Sequence, residues 1–261
     1  MPSSAAGRTL PWIAATLAGF GAVLASAMPV RSQARTCPVG MAFVPSAGLA
    51  GAAAGGYCID KFEASLRQTT EAGADRPWSP YLTPDRVSVR AISAQGVVPQ
   101  GYISQHQAAA ACAASGKRLC ADNEWQRACR GPRAQTFGYG NQRAQGRCNE
   151  NHRWHPVVQL FRAGAQALWG HVQMNDPQIN QLPGTVALTG AHAGCSNEYG
   201  VHDMVGNLHE WTSNPAGTFR GGYYMDTTIN GNGCSYVTDA HDPSYHDYSI
   251  GFRCCAAAAA D

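Results

Sequence analysis

The sequence predicts one loop-rich domain built from short helices and short strands and joined by disulfides. The 261-residue chain has only 14% charged residues but 29 glycines and 15 prolines, which argues against a coiled coil, a long helical bundle or a charged disordered chain. Its ten cysteines all lie beyond residue 36 and are even in number. No internal repeat and no Pro- or Ser-rich linker divides the chain, so one domain is expected.

The chain begins with a pattern typical of export. Arg8 precedes an apolar run from Thr9 to Leu24, and Ala25-Ser26-Ala27 is an A-x-A cleavage pattern. A second cleavage pattern is Ser32-Gln33-Ala34, and a retained membrane anchor is the alternative. No later stretch is apolar enough to span a bilayer. We predict a signal peptide over 1–27, a short linker over 28–36, the domain over 37–256 and a tail over 257–261, with a periplasmic or secreted location.

Export makes disulfides the expected state of the ten cysteines, because an oxidising compartment favours them. The rival hypothesis is a thiolate metal site, but the sequence contains no C-x-x-C pair and its cysteine spacings are long and irregular. Loop-rich folds gain from such cross-links, which contribute roughly 2–4 kcal/mol each.

Two segments are predicted to lack regular structure. Residues 47–56 (AGLAGAAAGG) are small and favour a surface loop, and residues 68–86 contain Pro77, Pro80 and Pro84 and are predicted to be irregular.

Three helices are predicted between the loops. Ser104 can cap a helix that runs to Ser115, before Gly116. A second helix is expected from Asp122 to Arg130, and Gly131 ends it. Residues 156–170 favour a third. The side chains expected to face the core from the first two helices are Ala108, Cys112, Trp125 and Cys129.

Several common functional motifs are absent. The chain has no phosphate-binding G-x-x-x-x-G-K-[ST] loop, no G-x-G-x-x-G and no G-x-S-x-G. His209-Glu210 lacks the second histidine of a zincin motif. The net charge of +2, without a Lys/Arg run, gives no electrostatic case for nucleic acid.

A set of local sequences occurs in a fixed order. They are CPVGMAFVP (37–45), YCIDKFEAS (57–65), SGKRLCADNEWQRACRG (115–131), FGYGN followed by CNEN (137–151), YGVHDMVGNLHEWTSN (199–214), FRGGYYMD (219–226) and GFRC (251–254). Together they resemble the sulfatase-modifying factor family, whose best-known member is the formylglycine-generating enzyme. The resemblance implies a single α+β domain of the formylglycine-generating-enzyme type, with a C-type-lectin-like core and little regular secondary structure.

The resemblance also implies structural calcium. One set would comprise Asp203, the carbonyl oxygens of Gly206 and Leu208, and Glu210, oxygen donors that suit a hard cation. The alternative is a hydrogen-bonded turn without metal. A second calcium set would comprise Asn149, Glu150, Asp176 and Gln178.

Two disulfides follow from the resemblance, Cys112–Cys254 and Cys129–Cys234. The remaining six cysteines are then assigned as Cys37–Cys58, Cys148–Cys195 and Cys120–Cys255, although sequence alone does not fix connectivity.

The resemblance fails at the pocket. The formylglycine-generating enzyme oxidises a substrate cysteine with copper held by two thiolates, which suit copper(I). Here Asp226 stands where the first cysteine should be, and the second would fall near Asn230 or Gly231. His209 replaces a pocket tryptophan and Tyr223 a pocket serine. Copper is therefore not expected.

The replacements suggest a different pocket, formed by His209, Tyr223 and Asp226. A histidine with a carboxylate could bind iron, zinc or calcium, or act as an acid–base pair. One alternative is a hydrogen-bonded cluster that satisfies buried polar groups, and another is a role for Cys234 as a thiol.

Three functions follow as hypotheses. The first is an exported oxidoreductase-lineage enzyme with altered chemistry. The second is a non-catalytic, calcium-supported module of lectin-like fold that binds a peptide, small molecule or glycan. A structural, disulfide-linked surface protein is the third, and a true formylglycine-generating oxidase is the least favoured. We expect a monomer that binds no nucleic acid and has no membrane span after signal cleavage.

Overall fold

The computed structural model describes residues 1–2, 7, 35–49, 55–69, 74–162, 164, 167–239 and 241–260. The chain divides into the segment Met1–Gln33 and one unit that follows it. The predicted signal peptide and its cleavage sites therefore lie outside the described residues, apart from residues 1, 2 and 7. Residues 50–54 of the predicted loop over 47–56 also lie outside them.

Within the described residues the fold is α+β, with short elements. The helices are α1 (Gln105–Ala113), α2 (Asp122–Arg130), α3 (Pro156–Phe161) and α4 (His171–Met174). Single 3-10 turns lie at Ile179–Gln181 and Gly233–Ser235. The strands are β1 (Arg35–Thr36), β2 (Met41–Val44), β3 (Tyr57–Asp60), β4 (Ala64–Thr69), β5 (Asp75–Pro77), β6 (Val89–Ser93), β7 (Arg118–Leu119), β8 (His209–Trp211), β9 (Phe219–Arg220), β10 (Val237–Thr238), β11 (Ile250–Phe252), β12 (Cys254–Ala257) and β13 (Ala259–Ala260).

The strands form small sheets. One has the order β2-β3-β12-β7, a second β10-β9-β8-β11 and a third β5-β4-β6. The second sheet pairs β8 and β11 in parallel, with His209 opposite Ile250, and pairs β8 and β9 antiparallel. This sheet therefore brings two of the sequence motifs, HEW and FRGG, side by side. β11 leads directly into β12 of the first sheet.

The second helix has its predicted bounds, and the first begins after Ser104 as predicted but ends at Ala113 instead of Ser115. Ser104 Oγ accepts a hydrogen bond from the N–H of Gln107, whose side chain accepts one from the N–H of Ser104, a reciprocal capping box. α2 has the predicted bounds and ends at Gly131, which takes φ 67°. The four side chains predicted to face the core from these helices are all buried: Ala108, Cys112, Trp125 and Cys129.

The third predicted helix is too long. α3 ends at Phe161 because Arg162 takes φ 65°, a left-handed angle that cannot continue a helix. α4 is a separate turn that begins at His171.

The prediction of irregular structure over 68–86 is also wrong in part. β4 runs to Thr69 and pairs with β5, with Arg67 opposite Pro77. Proline is tolerated there because β5 is an edge strand, whose outward N–H groups have no partner strand. The ends of the domain pair too, since Arg35 lies opposite Ala260 in a ribbon of β1 and β13. The predicted linker and tail thus contribute residues to the fold.

Five disulfides join the elements, and they are the same pairs that the sequence analysis names. They are Cys37–Cys58, Cys112–Cys254, Cys120–Cys255, Cys129–Cys234 and Cys148–Cys195. Three of them link the two longer helices to distant parts of the chain. Cys112–Cys254 joins α1 to β12, Cys120–Cys255 joins the segment before α2 to β12, and Cys129–Cys234 joins α2 to the 3-10 turn at Gly233–Ser235.

Candidate functional site

A tight turn before β8 positions the pocket histidine. Asp203 and Asn207 have left-handed backbone angles, with φ 57° and 58°. Gly206 has φ 80°, and a Cβ there would lie 2.3 Å from the carbonyl oxygen of Asn149. Left-handed angles favour glycine, asparagine and aspartate, which are the residues found here. The turn therefore depends on these residue types, and it delivers His209 into β8.

A fully buried ion pair lies next to the histidine. The side chain of Glu210 is 1% exposed and that of Arg253 is 0% exposed. Arg253 Nη2 and Nε donate to Glu210 Oε1 and Oε2, each at 2.6 Å, and Trp125 Nε1 donates to Oε2 at 2.6 Å. Burial alone would lower the pKa of Arg253, but Glu210 outweighs it and the pKa is raised. The protein thus compensates the charge of Glu210 itself.

A second buried carboxyl group holds the turn. Glu63 is 1% exposed and accepts hydrogen bonds from Asn207 Nδ2 at 2.6 Å and from the N–H of Leu208 at 3.1 Å. Burial, followed by the charges of Asp203 and Glu210, raises the pKa of Glu63 well above its usual range. Glu63 lies within the YCIDKFEAS motif, but sequence reasoning gave it no role, because its contacts come from residues about 144 positions away.

The first predicted calcium set lies around this turn. Asp203 Oδ2 accepts a hydrogen bond from the N–H of Gly190 at 2.6 Å, and burial raises the pKa of Asp203 to about 6. Both oxygens of Glu210 face Arg253, so a calcium ion would have to share that carboxylate with a guanidinium group. The geometry of Glu210 does not favour the ion. Calcium bound by Asp203, Gly206, Leu208 and Glu210 stays a prediction from the resemblance.

The second predicted calcium set has its members in separate hydrogen-bond systems. Glu150 forms an ion pair with Arg143, and its side chain is 2% exposed. Asn149 Oδ1 lies 2.7 Å from a histidine ring nitrogen. Asp176 Oδ1 accepts the N–H of Gln178 at 2.8 Å, in a local turn. Among the described residues, no hydrogen bond joins the first two to the last two, and this set also stays a prediction.

His209 lies inside a cage of aromatic rings. Its ring centroid is 4.8 Å from that of Phe219, 4.8 Å from Tyr223 and 5.5 Å from Tyr236. The residue is 6% exposed, and burial lowers its pKa to about 3. His209 is therefore neutral at ordinary pH, and its buried Nδ1 has no hydrogen-bond partner among the described residues.

The carboxylate of Asp226 is held by hydrogen bonds from its own loop and from Tyr236. Its Oδ1 accepts hydrogen bonds from the N–H and Oγ1 of Thr228, both at 2.9 Å, and from the N–H of Ile229 at 3.1 Å. Tyr236 Oη donates to Oδ2 at 2.9 Å. Burial would raise the pKa of Asp226, but these donors lower it. The carboxylate of Asp226 thus meets His209 through Tyr236, whose ring contacts the histidine, and the two side chains do not form a hydrogen-bonded pair. The backbone of Asp226 also pairs with that of Tyr223, whose ring contacts His209 as well.

Tyr223 joins a group that sequence reasoning missed. Its Oη lies 3.4 Å from His155 Nε2 and 3.4 Å from Tyr248 Oη. His155 Nε2 and Tyr248 Oη are 3.2 Å apart. We call His155, Tyr223 and Tyr248 the His–Tyr–Tyr cluster. Trp169, which is 56% exposed, packs edge-on against His155 with ring centroids 4.7 Å apart. The three residues come from distant segments, so no local motif could reveal the cluster.

The pocket contains no thiol. All ten cysteines are in disulfides, and Cys234, the cysteine nearest in sequence to the pocket, is buried and bonded to Cys129. Within the described ranges, no group of three or more His, Cys, Asp or Glu side chains is arranged to hold a metal ion. These cysteines therefore offer no free thiol as a metal ligand.

Comparison with known proteins agrees with the motifs. A family model, the sulfatase-modifying factor enzyme 1-like domain, matches residues 53–258, which is more than half of the chain. The chain belongs to the sulfatase-modifying factor family. This confirms the resemblance, and with it a single α+β domain with the C-type-lectin-like core of the family.

Two relatives within the family are named as inactive enzymes. The chain is 30% identical over 172 residues to "Inactive C-alpha-formylglycine-generating enzyme 2" of Mus musculus, covering 62% of this chain and 50% of the relative. It is 29% identical over 171 residues to the Bos taurus protein of the same name, covering 61% and 50%. The chain thus spans about half the length of these family members.

Solved structures outside the named relatives are more distant. The I1 and P3c variants of Major Tropism Determinant share 14% identity with this family member, over 88% of this chain and 55% of theirs, with a TM-score of 0.48. Treponema denticola variable protein 1 gives 12% identity over 85% of this chain and all of its own, with a TM-score of 0.38. These likenesses are too weak to support a function.

Among the residues that the structure describes, no helix is both long enough and apolar enough to cross a bilayer.

Proposed function

We propose that this chain is an exported, disulfide-stabilised member of the sulfatase-modifying factor family that binds a ligand and does not generate formylglycine. The observation that supports the proposal is the state of the cysteines, all ten of which are paired. Copper(I) chemistry needs soft thiolate ligands. At the first position where the resemblance expects one, this chain has Asp226, whose carboxylate is occupied by neighbouring donors.

The relatives point the same way. Both proteins of the family that match this chain, from mouse and cow, are named as inactive formylglycine-generating enzymes. That name describes those proteins, and we extend it to this chain because its pocket has no reactive sulfur.

Export is the second part of the proposal. Five disulfides are supported by an oxidising compartment and are rare in the reducing cytosol. Together with the N-terminal A-x-A pattern, they favour a periplasmic or secreted location.

The binding face that we propose surrounds the His–Tyr–Tyr cluster. Trp169 and Trp154 are 56% and 78% exposed, and Trp169 contacts His155 directly. Aromatic rings with polar edges suit a ligand that is part apolar and part polar, such as a peptide, a small molecule or a glycan. Calcium remains the proposed structural ion of the domain.

The oxidoreductase hypothesis is less well supported at the His209 pocket. His209 lies inside a cage of aromatic rings and Asp226 is held by its own loop, and among the described residues no third His, Cys, Asp or Glu joins them in an arrangement that could hold a metal. An oxidoreductase of this lineage would need a metal bound by other residues.

Formylglycine synthesis provides the test of the main proposal. The protein, purified with its disulfides intact, is incubated with copper(I), oxygen and a peptide that carries a sulfatase-type cysteine, and the peptide mass is followed. We expect no aldehyde above the protein-free control, with an active formylglycine-generating enzyme run alongside. Thiol titration of the unfolded, unreduced protein should give no free thiol. Aldehyde formation, or two free thiols per chain, would overturn the proposal.

A further inference from the structure

The three polar atoms of the His–Tyr–Tyr cluster form a nearly equilateral triangle. The distances among His155 Nε2, Tyr223 Oη and Tyr248 Oη are 3.2, 3.4 and 3.4 Å. These are long for hydrogen bonds, because O–H···O contacts centre near about 2.7–2.8 Å and N–H···O contacts near about 2.9–3.0 Å. The atoms therefore converge without making good hydrogen bonds to one another.

The triangle has the dimensions of a metal site. Ligand atoms about 2.0–2.1 Å from a metal ion and at tetrahedral angles lie roughly 3.3 Å apart, which is the spacing of these three atoms. A square-planar copper(II) site would instead place one of three ligand pairs about 4 Å apart, across the metal. The near-equal sides thus fit three neighbouring positions around a tetrahedral ion, whereas an octahedral ion would draw the same three atoms to about 2.9 Å from one another.

We propose that His155, Tyr223 and Tyr248 bind a ferric ion. Two phenolate oxygens and one imidazole nitrogen are hard and borderline donors, which suit iron(III), whereas zinc sites in proteins use Cys, His, Asp and Glu. On binding, each phenol loses its proton to solvent, so the iron(III) charge is reduced by two. The inference rests on the proposed function, in which this face binds a ligand without thiol chemistry.

Charge and access agree with a bound cation. The charged groups that act on Tyr223 are the carboxylates of Asp247 and Asp226, both of which attract a cation. His155 and Tyr223 are only partly buried, and His155 packs against the exposed Trp169, so an ion can enter from solvent.

Iron titration tests the inference. The disulfide-intact protein is stripped with a chelator and titrated with iron(III) citrate, and bound iron and visible absorbance are measured. We expect one iron per chain and a phenolate-to-iron charge-transfer band. Tyr223→Phe and Tyr248→Phe should weaken binding at least about tenfold and remove or shift the band, since loss of even an outer-shell partner costs about that much. Tyr224→Phe is the matched control, because Tyr224 is buried beside the cluster but donates to Asn180 instead.

Three outcomes would overturn the inference: no bound iron, equal iron binding by the Tyr248→Phe and Tyr224→Phe variants, or occupation of the cluster by zinc or copper with iron excluded. Thermal unfolding of each variant shows whether it is folded, and His155→Gln provides a second route if a tyrosine variant is not. Failure here is distinguishable from failure of the proposed function, because the latter is decided by aldehyde formation and thiol count and not by iron.

Discussion

Replacing Arg253 with leucine is expected to lower the free energy of unfolding by about 3–5 kcal/mol. The variant leaves Glu210 as a buried carboxylate that still accepts a hydrogen bond from the indole Nε1–H of Trp125. It also removes the donors to the carbonyl oxygens of Asp60, at 3.0 Å, and His202, at 2.8 Å. Urea unfolding followed by tryptophan fluorescence measures the loss as a shift in midpoint at constant slope.

Two matched variants define the effect. Arg133→Leu breaks the Arg133–Glu198 pair, whose side chains are 64% and 51% exposed, and should cost no more than about 1 kcal/mol. The double variant Arg253→Leu/Glu210→Leu should lose less stability than Arg253→Leu alone, because it leaves no unpaired charge behind. An Arg253→Leu loss no greater than that of Arg133→Leu would show that the buried pair is not what holds this region.

The same variant tests calcium at the turn. If Glu210 can take a calcium ion, calcium should raise the unfolding midpoint of Arg253→Leu more than that of the unmodified protein, because the ion would replace the missing positive charge. No rise in the variant would count against calcium at Glu210.

The parts of the fold that could be predicted from sequence are those with local causes. α2 has a glycine at its end and strong patterning, and its predicted bounds match the structure. α3 was predicted too long because the left-handed angle at Arg162 leaves no clear signature in a non-glycine residue. β5 was missed because Pro77 argues against a strand, and only the edge position that β5 takes beside β4 makes the proline acceptable.

Some residues of the candidate site could likewise be predicted from the sequence, and others could not. His209 and Tyr223 could be picked out because they replace pocket residues within recognisable motifs. Phe219 lies in one of the same motifs, but its contact with His209 depends on the antiparallel pairing of β8 and β9. His155 and Tyr248 lie 93 residues apart and meet only through tertiary packing, so nothing local connects them.

The disulfides that anchor α1 and the start of α2 to β12 provide the second large effect. Cys112–Cys254 closes 142 residues, and a loop of that length standing alone would be worth about 5 kcal/mol by the chain-entropy estimate. Cys120–Cys255 runs parallel to it and closes 135 residues. While either bond is intact, the other closes only a small loop of about nine residues, which is worth about 2.5 kcal/mol. While one bond is present, removing the other therefore loses only about half of the stability that it would contribute alone.

We expect Cys112→Ala/Cys254→Ala and Cys120→Ala/Cys255→Ala each to lower the free energy of unfolding by only about 2–3 kcal/mol. Removing both bonds should cost about 6 kcal/mol, more than the sum of the two single losses. The covalent path that then still connects Cys112 to Cys254, through Cys129–Cys234, is roughly 40 residues long.

Cys37→Ala/Cys58→Ala is the control. Its 21-residue loop has no parallel disulfide, so its loss should cost about 3 kcal/mol, as much as that of a bond spanning 142 residues. Urea unfolding of the four variants and of the unmodified protein measures these losses. A loss near 5 kcal/mol from either long-range bond alone would mean that the two bonds act independently. The stabilisation would then have to come from native packing around each pair of sulfur atoms, and not from the loops that the bonds close in the unfolded chain.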